Sequence, residues 1–107
     1  MTRDTTDYSI TYTDQCLVIM PPRELAYDMV PGFKAEVESH LTAPGLAEVV
    51  VDLSETVFLD SSGIGVLILI QKTASQEGFS ALLRRPRQEV RKILGLVNLL
   101  QFFTIQD

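Results

Sequence analysis

Cysteine, histidine and tryptophan are nearly missing from this chain: Cys16, His40 and no tryptophan in 107 residues. A lone cysteine excludes an internal disulfide and any zinc site built from several cysteines. Cys16 lies between Gln15 and Leu17 in an apolar stretch, where free cysteine behaves as a small buried hydrophobe, so inert core is the reading preferred over reactive thiol. The single histidine falls on the polar side of an expected helix, which leaves nucleophilic catalysis without its usual base. Long apolar runs are absent too. Ile64 to Ile70 is far too short to span a bilayer, and Met1-Thr2-Arg3-Asp4 leads into no apolar stretch of the kind a signal peptide needs. A reducing cytoplasm is therefore the expected location, with no membrane insertion.

What is present fits one ordinary globular domain. Hydrophobic residues make up 46% and charged residues 21%, well away from disordered composition. The net charge of −5 hides an asymmetry, because residues 1–60 carry eleven acids and three bases whereas 61–107 carry three acids and six bases. Five of the bases, Arg84, Arg85, Arg87, Arg91 and Lys92, crowd into nine residues. They read as a solvated strand end and helix face, with an acidic partner surface as the alternative. An acidic chain with a sequence pI near 4.7 is not expected to bind nucleic acid, which normally takes a basic domain.

Along the chain, residues 1–6 form an expected flexible tail and 7–107 a single domain. Tyr8 to Tyr12 alternates apolar and polar residues as a half-buried strand does, and Leu17 to Met20 returns after the Thr13-Asp14-Gln15 turn. Pro21-Pro22 stops the second strand. Phe33, Val37 and Leu41 recur at helical spacing after Pro31, which suits a first helical turn. Glu48 to Leu53 is almost continuously apolar, the pattern of a strand covered on both faces. The run Ile64 to Ile70 is ambiguous in period, but the Asp-Ser-Ser start and the stop at Gly78 favour a helix. Phe79 to Leu83 reads as a strand, Pro86 to Leu94 as a helix with Pro86 near its first position, and Phe102 to Ile105 as a last strand. The class is α/β: a mixed four- to five-stranded sheet with an N-terminal hairpin, followed by alternating helices and strands.

Chemistry concentrates at Asp60-Ser61-Ser62-Gly63, where a strand region gives way to a helix. Asp60 and Ser61 are both good N-caps, and a hydroxyl there sits in a helix N-terminal field that favours a phosphate. The residues alone favour the cap over a phosphorylation site. A serine hydrolase is not supported, since the Gly-x-Ser-x-Gly elbow is missing, and Gly63-Ile64-Gly65 lacks the lysine and spacing of a phosphate-binding loop. The chain reads as a non-enzyme without a cofactor of its own.

Residues 49–67, Val-Val-Val-Asp-Leu-Ser-Glu-Thr-Val-Phe-Leu-Asp-Ser-Ser-Gly-Ile-Gly-Val-Leu, resemble the signature of the STAS domain in bacterial anti-sigma factor antagonists. The family's Phe-x-Asp-Ser-Ser-Gly-(Leu/Ile)-Gly pattern is filled by Phe58, Asp60, Ser61, Ser62, Gly63, Ile64 and Gly65. The stretch from Pro86 is similar to the family's later helix and Gly-Leu turn. The resemblance implies that Ser61 is the phosphoacceptor, supported by Asp60, Ser62 and Gly63. It implies an anti-sigma factor with serine kinase activity as partner, with a serine phosphatase as a candidate third member. Phe58, Ile64, Val66 and Leu69 are the candidate docking residues. The alternative is a non-switching STAS module that scaffolds a larger complex or serves a transport system. One departure stands out: the family often carries Gly-x-Leu-Asp after its second strand, where this chain has Met20-Pro21-Pro22-Arg23-Glu24-Leu25.

Overall fold

The computed structural model describes residues 8–107; the expected tail at 1–6 lies outside the described residues. Strands β1 (Ser9–Thr13) and β2 (Cys16–Met20) form the hairpin expected from their alternation. Asp14 and Gln15 take φ of 52° and 66°, the left-handed pair that lets a two-residue turn follow the twist of its strands. Helix α1 (Val30–Leu41) has Pro31 in its first turn and buries Val30, Phe33, Val37 and Leu41, one face at the predicted spacing. Strand β4 (Glu48–Asp52) lies between β2 and a later strand, β6 (Ser80–Arg84), parallel to both. Val49 and Val51 join the principal core while Val50, on the other face by strand alternation, is also buried.

The two Pro21-Pro22 carbonyls explain a loop that sequence left open. A third strand, β3 (Glu24–Leu25), pairs in parallel with β5 (Phe58–Leu59), Glu24 opposite Phe58 and Leu25 opposite Leu59. The buried Thr56 hydroxyl donates to Pro22 O at 3.0 Å, and the N–H groups of Val57 and Asp60 donate to Arg23 O and Leu25 O at 2.8 and 3.3 Å. Proline lacks an N–H but keeps its carbonyl, so the loop can end β2 and still accept bonds from the segment ahead of the next helix. That helix, α2 (Ser61–Glu77), ends on Gly78 in the left-handed conformation, with the Gly78 N–H bonded to Ala74 O at 2.9 Å.

Two boundaries differ from expectation. Helix α3 (Gln88–Leu96) starts on an Arg87 cap, so Pro86 lies ahead of the helix instead of in its first turn. The Arg85 N–H still donates to Gln106 O at 2.7 Å, and Arg85 takes φ of 52°; the chain needs Pro86 and Arg87 to leave the sheet before it can coil. The last strand, β7 (Ile105–Gln106), begins later than Phe102, because Leu100–Phe102 forms a 3₁₀ turn that drops Phe103 into the core. The main sheet is five-stranded in the order β1-β2-β4-β6-β7, antiparallel only at the hairpin, which is the mixed sheet expected. Cys16 is half-buried at the start of β2 instead of in the core, and its thiol is pushed up by burial and the neighbouring Glu48 carboxylate, which keeps it protonated.

Asp52 closes the C-terminal end of β4. It is 1% exposed and pairs with Arg84 and Arg85, so part of the arginine cluster is an ion-pair network and not merely a solvated face. Burial alone would raise this carboxyl; the hydrogen bonds from Ser54 and the Arg85 guanidinium outweigh it and hold it at about 2. A folded value below the unfolded one contributes stability above the unfolded value and loses it as pH falls towards the folded one. Urea unfolding should therefore find Asp52→Asn less stable than wild type by ~2 kcal/mol near neutral pH, with the difference shrinking below about pH 4 and vanishing near pH 2.

Candidate functional site

Strand β5 delivers its chain to α2 through Asp60, whose extended backbone (φ −96°, ψ −173°) makes it the N-cap. Its Oδ1 accepts from the Gly63 N–H at 2.9 Å and from the Ser62 hydroxyl at 2.6 Å. Its Oδ2 accepts from the Tyr27 N–H at 2.9 Å. The Ser62 hydroxyl, followed by the Gly63 and Tyr27 amides, holds the carboxyl below the usual carboxylate range, so Asp60 is ionised.

The cap was open between Asp60 and Ser61; the structure gives it to Asp60. Ser61 is then the first residue of the helix, exposed, and its hydroxyl makes no hydrogen bond to another described residue. Ser62 is half-buried and turned to Asp60, so the two adjacent hydroxyls differ: that of Ser62 is occupied, and that of Ser61 is exposed with no partner among the described residues. Gly63 is buried beneath β3, where an added Cβ would lie 2.2 Å from Leu25 O. The backbone of β3 crosses the first turn of α2 so closely that only glycine fits.

The docking candidates separate. Phe58 is 45% exposed just before the site, and Ile64 and Leu69 are half-buried. Val66 does not belong with them: it is 1% exposed and in the core with Leu67, Ile70 and Ala74. An apolar run with no internal period cannot say which of its residues face the sheet, and here tertiary packing puts Val66 on the buried face.

Tyr27 is the residue that sequence reasoning missed. It is 78% exposed, and the Leu25–Leu59 register together with its amide bond to Asp60 sets it beside the Ser61 turn. A lone aromatic in a polar loop carries no periodic signal; only the two-residue pairing of β3 with β5 reveals it. His40 lies in the last turn of α1. Among the described residues no group of three His, Cys, Asp or Glu is arranged to hold a metal, and no helix is long and apolar enough to cross a membrane.

The family model of the STAS domain matches residues 7–107, a span that includes this serine turn. The chain belongs to the STAS domain family. A Thermotoga maritima protein with the provisional name of anti-sigma factor antagonist is 30% identical over 94 residues, 88% of this chain and 83% of its own. The crystal structure of a Thermotoga maritima protein described in the same provisional terms superposes with a TM-score of 0.82 at 25% identity, covering 94% of this chain and 86% of that one. SpoIIAA has the same fold in its unphosphorylated form, with a TM-score of 0.78 at 19% identity over 94% of this chain and 88% of its own. The phosphorylated form of the Bacillus SpoIIAA gives 0.73 at 18% identity, over 94% and 91%.

Gly63 offers a direct check on this geometry. A Cβ against a backbone carbonyl cannot be relieved by rotating a side chain, so Gly63→Ala should cost about 2 kcal/mol in urea unfolding. Alanine tolerated at position 63 without loss would mean that β3 does not cross α2 this closely.

Proposed function

We propose that this protein is an anti-sigma factor antagonist that binds a kinase-type anti-sigma factor when unphosphorylated and is released when Ser61 is phosphorylated. The observation that carries this reading is the exposed Ser61 hydroxyl, which has no partner among the described residues because Asp60 takes the cap. The provisional name of the Thermotoga relative and the existence of SpoIIAA in two phosphorylation states support it.

The modification uses ATP supplied by the kinase. Ser61 Oγ attacks the γ-phosphorus, the new Oγ–P bond forms as the bond to ADP breaks, and the hydroxyl proton passes to a base on the kinase. A phosphate adds about −1.5 to −2 charge where the helix field favours it, so the domain tolerates it. A docked partner does not. Phosphate beside the ionised Asp60 must be desolvated on docking and meets a like charge. Each 1.4 kcal/mol of that cost is about tenfold in affinity.

The test takes every anti-sigma factor of the serine-kinase class in the host genome, purified singly, with labelled ATP. One of them should label wild type at Ser61 and leave Ser61→Ala unlabelled. By calorimetry Ser61→Ala should bind that kinase as wild type does, and Ser61→Asp at least about tenfold more weakly. No labelling by any kinase would favour the non-switching scaffold, and equal binding of wild type and Ser61→Asp would remove phosphorylation as the release step.

A further inference from the structure

Gly63 and Gly65 are glycines for different reasons. Gly63 has an internal one, the Leu25 carbonyl. Gly65 has none: it is exposed, its φ lies outside the left-handed region, and an added Cβ would meet nothing within 4 Å. A glycine inside a helix weakens it relative to alanine, so α2 carries a destabilising residue that neither its packing nor its backbone requires. Gly65 lies four residues beyond Ser61, one turn along the same exposed face, where side chains of i and i+4 are about 5–6 Å apart.

We propose that Gly65 is where the backbone of the serine-kinase partner comes closest to α2, a contact that a methyl group would block. The inference rests on the function proposed above and names a residue that decides access. A kinase must bring its phosphate donor within bonding distance of Ser61 Oγ, so everything within one turn of Ser61 is under the partner while transfer occurs. Tyr27 and Phe58, at 78% and 45% exposure, stand near the start of the same turn as aromatic anchors of the kind that dominate docking energies. A bare backbone lets two main chains approach closely. The contact is intermolecular, which makes it separable from folding: alanine at this position should improve the helix and spoil the encounter.

The experiment compares wild type, Gly65→Ala and Gly32→Ala. Gly32 is the control, an exposed glycine with open space around it in the first turn of α1. Thermal unfolding should show Gly65→Ala more stable than wild type by ~4 °C, as an improved helix requires. Phosphorylation of Gly65→Ala by the kinase that labels wild type should fall at least about tenfold in kcat/KM with a matching rise in Kd, while Gly32→Ala is labelled as wild type. Equal labelling and binding of Gly65→Ala and wild type overturn the inference while leaving the proposed function intact. A Gly65→Ala protein less stable than wild type also overturns it, since the glycine would then have an internal role. If no anti-sigma kinase labels wild type, the function reading fails and this inference fails with it.

Discussion

The carboxylate of Asp60 joins three parts of the molecule that are distant in sequence or function. One oxygen caps α2 through Gly63 and takes the Ser62 hydroxyl; the other holds the amide of Tyr27 in the loop after β3. Neutralising or removing it would loosen the helix start and the loop together, since each would lose its hydrogen-bond acceptor. Its occupancy has a chemical consequence: the cap position needs one acceptor, Asp60 supplies it, and the hydroxyl of Ser61 is left facing solvent. The neighbouring Gly63 belongs to the same constraint, because the β3 carbonyl that lies against the first turn leaves no room for a side chain.

Behind this turn the platform is stiff. Helix α2 buries Val66, Leu67, Ile70 and Ala74 along one side, and β4 is covered on both faces with parallel neighbours on each edge. Asp52 ties the ends of β4 and β6 through arginines that a reader of charge runs would leave in water. A charge added at Ser61 sits on the exposed side of this packed frame, and its effect falls on whatever docks there. Recognition, and not refolding, is the natural output of such a site.

The hairpin, the central strand, α1 and α2 were legible because each has a local cause: alternation, an unbroken apolar run, four-residue spacing, an Asp-Ser start and a Gly stop. The motif placed Ser61 and its neighbours, but local residues could not choose between Asp60 and Ser61 as the cap, since both are chemically suited; the choice depends on where the Gly63 amide and the Tyr27 loop lie. Strands β3 and β5 pair over two residues each, too short to leave a period, so the link between Tyr27 and the serine turn was invisible. Val66 was misread for the opposite reason: its run is apolar throughout, and only packing separates an inward residue from an outward one. At the C-terminal side, apolar Phe102-Phe103 looked like strand, but burying Phe103 takes a 3₁₀ turn first.

The central claim is that Ser61 can carry a phosphate on an unaltered frame. Amide spectra of the ¹⁵N-labelled domain, unmodified and with phosphoserine installed at position 61, test it most directly. The account predicts shifts confined to residues 25–28 and 58–66, with the amides of β2, β4 and β6 unmoved. Shifts spread through those three strands, or loss of their signals, would contradict it and make the modification a change of fold.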